Sequence, residues 1–238
     1  MSLSGRTAAL VPAAGRGERL GPGSPKALRF LGGQPLLVHA VHALSDARVV
    51  DLVVVAAPAE QVEEVRSLLG QQEYAADVIV VSGGENRQES VARALLALPA
   101  DIDVVLVHDA ARPLVPSQLV AAVVSAVRAG HPAVVPGLPV ADTIKSVDAA
   151  DNVQATLDRS ALRAIQTPQG FDRSVLQAAH AAADLDAPAT DDAGLVEAGG
   201  ITVHVVPGHE EAFKVTRPID LVLAEAVLAR RRATGALG

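Results

Sequence analysis

An α/β fold with a mainly parallel sheet and helices on both faces is predicted by three observations on this 238-residue chain. Apolar runs alternate with segments of helical spacing, and the runs are continuously apolar, as suits strands covered on both sides. The residues best able to do chemistry gather where those runs end. Thr7–Val11, Val50–Ala56, Val78–Val81, Val104–Val107 and Ala133–Val135 read as buried strands. Between them, Pro35–Leu44, Ala59–Leu69, Asn86–Leu98 and Pro116–Ala129 read as helices; Val91, Ala94, Leu95 and Leu98 fall on one helical face. After Val135 the alternation falters at Pro136-Gly137-Leu138-Pro139. The runs Asp142–Val147 and Val153–Asp158, about a turn at Asp148–Asn152, predict a protruding β-hairpin arm within about 138–160. Such an arm has no core of its own, so a partner subunit is its natural support. Helices at Arg173–Ala183 and Asp191–Ala198, a Gly199-Gly200 stop, a strand Ile201–Val206 and a helix from Pro218 to Arg232 capped by Thr216 complete the chain. No linker or repeat divides it, so one domain over 1–238 is expected.

Composition removes several classes of function. A net charge of −7 argues against broad electrostatic binding to nucleic acid or to an anionic membrane, and aromatics are too few for base stacking. Every long apolar stretch is broken before membrane-spanning length, and the N-terminus carries no secretory pattern, so a soluble, cytoplasmic protein is expected. The absence of cysteine excludes disulfides and thiolate chemistry. A small polyanion remains a feasible ligand, because a few placed cations can bind it against the overall charge.

The first run leads into Pro12-Ala13-Ala14-Gly15-Arg16-Gly17-Glu18-Arg19-Leu20, closed by Pro25-Lys26. Gly15 and Gly17 let backbone N–H groups approach an anion, and Arg19 and Lys26 supply fixed charge, so the segment reads as a loop around a nucleoside triphosphate. It is neither of the commoner phosphate loops. Lys26 follows a proline and precedes Ala27, against the Walker pattern, and Leu20 stands where a dinucleotide loop needs its third glycine. A solvated strand-to-helix connection would explain the glycines alone.

The third run leads into Ser82-Gly83-Gly84-Glu85-Asn86-Arg87-Gln88-Glu89-Ser90. Asn86 with Glu89 is the pattern of a capping box and needs no ligand, whereas Gly84, Glu85 and Ser90 could face a base or ribose. The fourth leads into His108-Asp109-Ala110-Ala111-Arg112-Pro113. Asp109 there could meet a Mg²⁺–phosphate complex or a substrate hydroxyl, and Arg112 offers a fork for phosphate. An internal Asp109–Arg112 pair is the plainer alternative, and His108 reads as a packed, hydrogen-bonded histidine. Thr190 reads as a helix cap, and Arg159 and Lys214 as surface charges.

Taken in order, Pro12-Ala13-Ala14-Gly15-x-Gly17-x-Arg19, Pro25-Lys26, Gly83-Gly84, Val107 to Pro113, Asp142-Thr143, Asp158-Arg159, Thr167-Pro168-Gln169, Thr190-Asp191 and Lys214 to Pro218 resemble the 2-C-methyl-D-erythritol 4-phosphate cytidylyltransferase family of the non-mevalonate isoprenoid pathway. The resemblance spans nearly the whole chain and implies a Rossmann-like sheet of the nucleotide-diphospho-sugar transferase type. It implies that Arg19 and Lys26 stabilise charge on the triphosphate and that Ala13, Ala14, Gly15, Gly84, Glu85 and Ser90 surround CTP. Asp109, Arg112, Thr143, Arg159, Thr167 and Lys214 would surround the acceptor, with Thr143 and Arg159 on an arm that reaches a neighbouring subunit of a homodimer. Glu85 stands where some relatives carry aspartate. Mg²⁺ is the implied cofactor, held mainly by CTP phosphates, with Asp109 a candidate ligand. A cytidylyltransferase for another polyol phosphate such as ribitol 5-phosphate, and an inactive nucleotide-binding regulator, are the alternatives; the cations at 19, 26, 159 and 214 speak against the second.

Overall fold

The computed structural model describes residues 5–14, 26–183 and 189–235. One eight-stranded sheet organises them. Its parallel heart comprises β1 (Arg6–Pro12), β4 (Leu52–Ala57), β5 (Asp77–Ser82) and β6 (Ile102–Val107), with β1 between β4 and β6. Beyond β6 lie β11 (Gln169–Asp172), antiparallel to it, and then β7 (Ala133–Pro139), which also pairs with β10 (Arg163–Ile165) and, in parallel, with β12 (His204–Pro207). A small pair, β2 (Phe30–Leu31) and β3 (Gln34–Pro35), precedes the first helix. The arm is real: β8 (Lys145–Val147) pairs antiparallel with β9 (Val153–Thr156), and Asp148 accepts from the Ala150 and Asn152 N–H groups across the turn.

The period of two in β1 explains the layering. Ala9 and Val11 enter one core with α1 (Leu36–Ser45), α2 (Val62–Gly70) and α4 (Ser117–Arg128). Ala8 and Leu10, on the opposite face, enter a second core with α3 (Arg87–Leu96), α5 (Arg173–Ala182) and α6 (Asp192–Ala198). A third cluster joins Leu31, Leu36, Leu114 and Val215 to α7 (Pro218–Ala233). Helices thus cover both faces, and fully buried valines such as Val120 and Val123 each contribute about 1.5–3 kcal/mol by leaving water. Gly170 is required by this packing: a Cβ there would lie 2.5 Å from Val123 Cγ1.

Several boundaries depart from the sequence reading. The second predicted helix divides at Gln61, whose φ of −115° separates a 3₁₀ turn, Ala59–Gln61, from α2. The predicted strand at Ile201 begins only at His204, because Ile201 belongs to the end of α6. Its N–H donates to Val196 O and that of Gly200 to Glu197 O, with Gly200 at φ +78°, a Schellman ending that only glycine adopts readily. Thr216 is not the cap of α7. The Asp220 carboxylate instead accepts from the Thr216 N–H and hydroxyl and from the Arg217 N–H, tying the first turn back to the chain before it. Nor does Thr190 cap α6, since Asp191 does so by accepting from Gly194 N–H. The strands β10 and β11 were not expected, because residues 163–172 lack a continuous apolar run.

Candidate active site

From β1 the chain moves one way across the sheet to β4 and β5, then returns to the other side of β1 with β6. In open sheets of this kind, ligands bind outside the carboxyl ends of the strands where the order reverses. Here that crevice lies beyond Pro12 and Val107, and the segments after β1, β5 and β6 all reach it.

On its nucleotide side the Ala13 N–H donates to Ala56 O and the Gly83 N–H to Ala57 O, which hold these strand ends together. A Cβ at Gly83 would lie 2.9 Å from that of Ala14, so the loops after β1 and β5 touch. Gly84 has no room for a side chain either, since its Cβ would meet Glu89 Cγ at 2.3 Å. Asn86 caps α3 by accepting from Glu89 N–H, and the Glu89 carboxylate accepts from Glu85 N–H, so the structural reading of Glu89 is correct. Ser90 needs a correction. It is fully buried, its hydroxyl donates to Asn86 O and accepts from Gly84 N–H, and a direct contact with base or ribose has no free hydroxyl to use. Ser90 shapes the loop from beneath.

The acceptor side is built around Asp109, immediately after β6. Val215 N–H donates to Ala111 O, and this backbone bond brings Lys214 over the Asp109 carboxylate, with Nζ 2.7 Å from Oδ2. Arg87 Nε lies 3.5 Å from Oδ1 and Arg112 Nε 3.9 Å from Oδ2. Burial would raise this carboxyl, but Lys214, Arg87 and Arg112 outweigh it and hold Asp109 well below the ordinary carboxylate range. Arg112 spends one terminal nitrogen on Ala212 O at 2.7 Å and the other on Ile165 O at 3.4 Å. Its buried Nε has no hydrogen-bond partner. The Asp109–Arg112 pair therefore exists, within a larger cluster.

His108 and Thr167 lock this cluster from behind. Burial pushes the His108 imidazole down to about 4, so it is neutral at pH 7. Its Nε2 is 3.1 Å from Arg112 O, an acceptor only, so Nε2 carries the proton. Nδ1 then accepts from the Thr167 hydroxyl at 3.1 Å, while that oxygen accepts from the Asp109 N–H at 3.0 Å. A closed path of hydrogen bonds thus fixes the backbone at 109 and 112. The Thr167 hydroxyl proton is thereby used inside the protein.

The remaining expected residues lie elsewhere. Thr143 and Arg159 are exposed at the base of the arm, where Arg159 donates to Ala141 O at 2.6 Å. Among the described residues, neither bonds to Asp109, Arg112 or Lys214. Gly15, Gly17 and Arg19 lie outside the described residues, and of Lys26 only the backbone is described, opening a 3₁₀ turn, Lys26–Leu28. Sequence alone leaves the role of Arg87 open and gives Asp192, next to the Thr190-Asp191 motif, none in the site. Among the described residues no group of three or more His, Asp or Glu side chains could hold a metal.

A crevice with the Gly83-Gly84 loop on one side and fixed cations on the other suits the movement of a phosphorus-centred group between two anionic partners, the work of a nucleotidyltransferase. Comparison with known proteins makes this particular. The sequence model of the 2-C-methyl-D-erythritol 4-phosphate cytidylyltransferase family matches residues 7–230. A protein of that name from Streptomyces coelicolor is 60% identical over 235 residues, covering 95% of this chain and 86% of the relative. The crystal structure of the enzyme of that name from Thermus thermophilus matches with a TM-score of 0.75 at 39% identity, over 93% of this chain and 98% of the other. The 4-diphosphocytidyl-2C-methyl-D-erythritol synthase of Anaerococcus prevotii matches with a TM-score of 0.81 at 26% identity, over 94% and 99%. The chain belongs to the 2-C-methyl-D-erythritol 4-phosphate cytidylyltransferase family and is a CTP-dependent nucleotidyltransferase. No helix among the described residues is long and apolar enough to cross a membrane.

Proposed function

We propose that this chain transfers CMP from CTP to 2-C-methyl-D-erythritol 4-phosphate by in-line displacement without a general base. An acceptor phosphate oxygen bonds to the α-phosphorus, the bond from that phosphorus to the bridging oxygen breaks, and pyrophosphate leaves with the electron pair. The products are 4-diphosphocytidyl-2-C-methyl-D-erythritol and pyrophosphate. The observation that carries this reading is the pairing of a cation-ringed crevice with a histidine that has no free nitrogen. An acceptor phosphate is already anionic near neutral pH, so catalysis reduces to positioning and charge neutralisation.

In this reading Ala13, Ala14, Gly15, Gly17, Gly84 and Glu85 line the CTP subsite, and Arg19 and Lys26 offset charge as pyrophosphate leaves. Lys214, Asp109 and Arg112 receive the acceptor: the carboxylate takes a hydroxyl, Lys214 faces the phosphate, and the charge of Arg112, whose terminal nitrogens are held by Ala212 O and Ile165 O, acts from behind them. A Mg²⁺ ion fits here as an ion carried by the triphosphate, supplying positive charge to its oxygens. Asp109 is a poor ligand for it, since Lys214 already holds Oδ2 and two arginines stand close by. The reaction is placed in the cytoplasm, in line with a chain that has no cysteine.

The arm is assigned to a homodimer. It exposes Val147, Val153 and Leu157 (50, 60 and 42%), apolar surface that a second subunit would cover, and its exposed Thr143 and Arg159, which bond to none of Asp109, Arg112 and Lys214, would then serve the neighbour's crevice. Arg159→Ala is expected to raise the acceptor KM about tenfold, as loss of one charged phosphate contact would. Mixing Arg159→Ala with Lys214→Ala subunits should restore activity, because one of the two shared sites is then intact. A monomeric mass in solution, or mixed subunits no more active than either parent, would remove this assignment.

Pyrophosphate release tests the function as a whole. With CTP, Mg²⁺ and methylerythritol phosphate, release should be fast; with ribitol 5-phosphate or with UTP it should be at least about a hundredfold slower in kcat/KM, the discrimination a site can reach when its polar groups are left unpaired. Faster release with ribitol phosphate would transfer the assignment to that acceptor.

A further inference from the structure

Arg87 is the first residue of α3, yet its guanidinium leaves the helix and bridges two carboxylates from distant segments. One terminal nitrogen is 2.7 Å from Asp192 Oδ2, and Nε is 3.5 Å from Asp109 Oδ1. Asp192 opens α6, is fully buried, and receives His180 Nε2 of α5 at 2.9 Å on its other oxygen. Burial would lower the Arg87 group, but the charges of Asp192 and Asp109 overcome it and raise it, so the guanidinium stays charged. An ion pair with Asp192 alone would suffice to neutralise the core. The second contact, with Asp109, is the informative one.

Lys214 holds Oδ2 of Asp109, and Arg87 approaches Oδ1. Two cations on two oxygens resist rotation of the carboxylate about its last side-chain bond, which one cation does not. We propose that Arg87 is a positioning residue: braced by the buried Asp192–His180 pair, it orients the Asp109 carboxylate for the acceptor. This rests on the reading of Asp109 as an acceptor contact. It also gives the Thr190-Asp191 motif a task in the site: Asp191 caps α6 and takes a hydrogen bond from the Gln169 side chain at 2.7 Å, which seats the adjacent Asp192 where Arg87 can reach it. Only a forked guanidinium fills the role, because a lysine ammonium offers one point charge and cannot span two carboxylates.

The test compares Arg87→Met, Arg87→Lys, Asp192→Asn and their combination with the wild-type protein, reading acceptor KM, kcat, CTP affinity by calorimetry without acceptor, and the thermal midpoint. Arg87→Met and Asp192→Asn should each raise acceptor KM five- to tenfold while CTP affinity changes less than twofold. Arg87→Lys should recover less than half of that loss. The double variant should be no worse than Arg87→Met, since both changes act through one carboxylate. A lower thermal midpoint with unchanged acceptor KM would make the cluster purely structural and overturn the inference. If Arg87→Met does not fold, Asp192→Asn and Arg87→Lys carry the same comparison. Asp109→Asn separates the two levels. If it leaves acceptor KM unchanged, the acceptor reading itself fails; if it raises KM while the Arg87 and Asp192 variants do not, only the positioning role fails.

Discussion

Lys26→Ala and Arg19→Ala are each expected to lower kcat on the order of 10²–10³-fold, the usual consequence of losing one group aimed at charge that develops in a transition state. The expectation follows from the chemistry of the transfer. As the bond to the bridging oxygen breaks, negative charge builds on the pyrophosphate, and no base or covalent intermediate is present to share the barrier. Each fixed cation therefore acts mostly on the transition state, and its loss falls on kcat more than on CTP affinity. Neither residue is asked to hold the fold together, so thermal midpoints should remain within about two degrees of wild type, as for a surface substitution. Single-turnover rates with saturating CTP and acceptor check the effect directly. Wild-type turnover in purified Lys26→Ala would strip that residue of its role.

The second large effect is on stability and comes from His108. Unfolded, this histidine titrates near 6.5; folded, it titrates at about 4. Between those values the unfolded chain binds the additional proton, so acid favours unfolding. His108 thus contributes fully above pH 6.5, and its contribution is lost as pH falls toward 4. The span from 6.5 to about 4, at ~1.4 kcal/mol for each pH unit, is on the order of 3 kcal/mol. Asp109 acts in the same direction at lower pH, since its depressed carboxyl contributes above the unfolded value of 3.8 and loses that contribution below it. Urea unfolding at pH 7, 6, 5 and 4.5 should show wild-type stability falling steeply over this range. His108→Gln cannot titrate and should show a slope shallower by about that amount. Parallel slopes for the two proteins would mean that the imidazole is not held neutral.

This histidine also shows where sequence reading stops. A packed, hydrogen-bonded His108 was foreseeable from its place after an apolar run. Its partners were not, because Thr167 and Arg112 O reach it only when β11 inserts beside β6. Asn86 and Glu89, by contrast, announce the start of α3 through contacts a few residues apart, and the structure has that cap. The Ser90 side chain looks available to a ligand in sequence, since a hydroxyl shows its chemistry there and hides whether that chemistry is already spent. Thr190 and Thr216 read as caps in sequence, yet Asp191 caps α6 and Arg217 immediately precedes α7, a difference of one residue that only backbone geometry decides.

The strands of the parallel heart and the helices between them were legible because their causes are local: continuous apolar runs, spacing near 3.6, and turn residues at strand ends. The ordered motifs also carried the family, and with it CTP and the acceptor. What required the tertiary structure was the company each charged residue keeps. Lys214 sits on Asp109 because a backbone bond from Val215 to Ala111 brings two distant segments together. Arg87 joins Asp109 to Asp192 because two helices on the same face of the sheet place their first residues side by side. Coulomb attraction and desolvation depend on distance in space, and separation along the chain does not contain that distance.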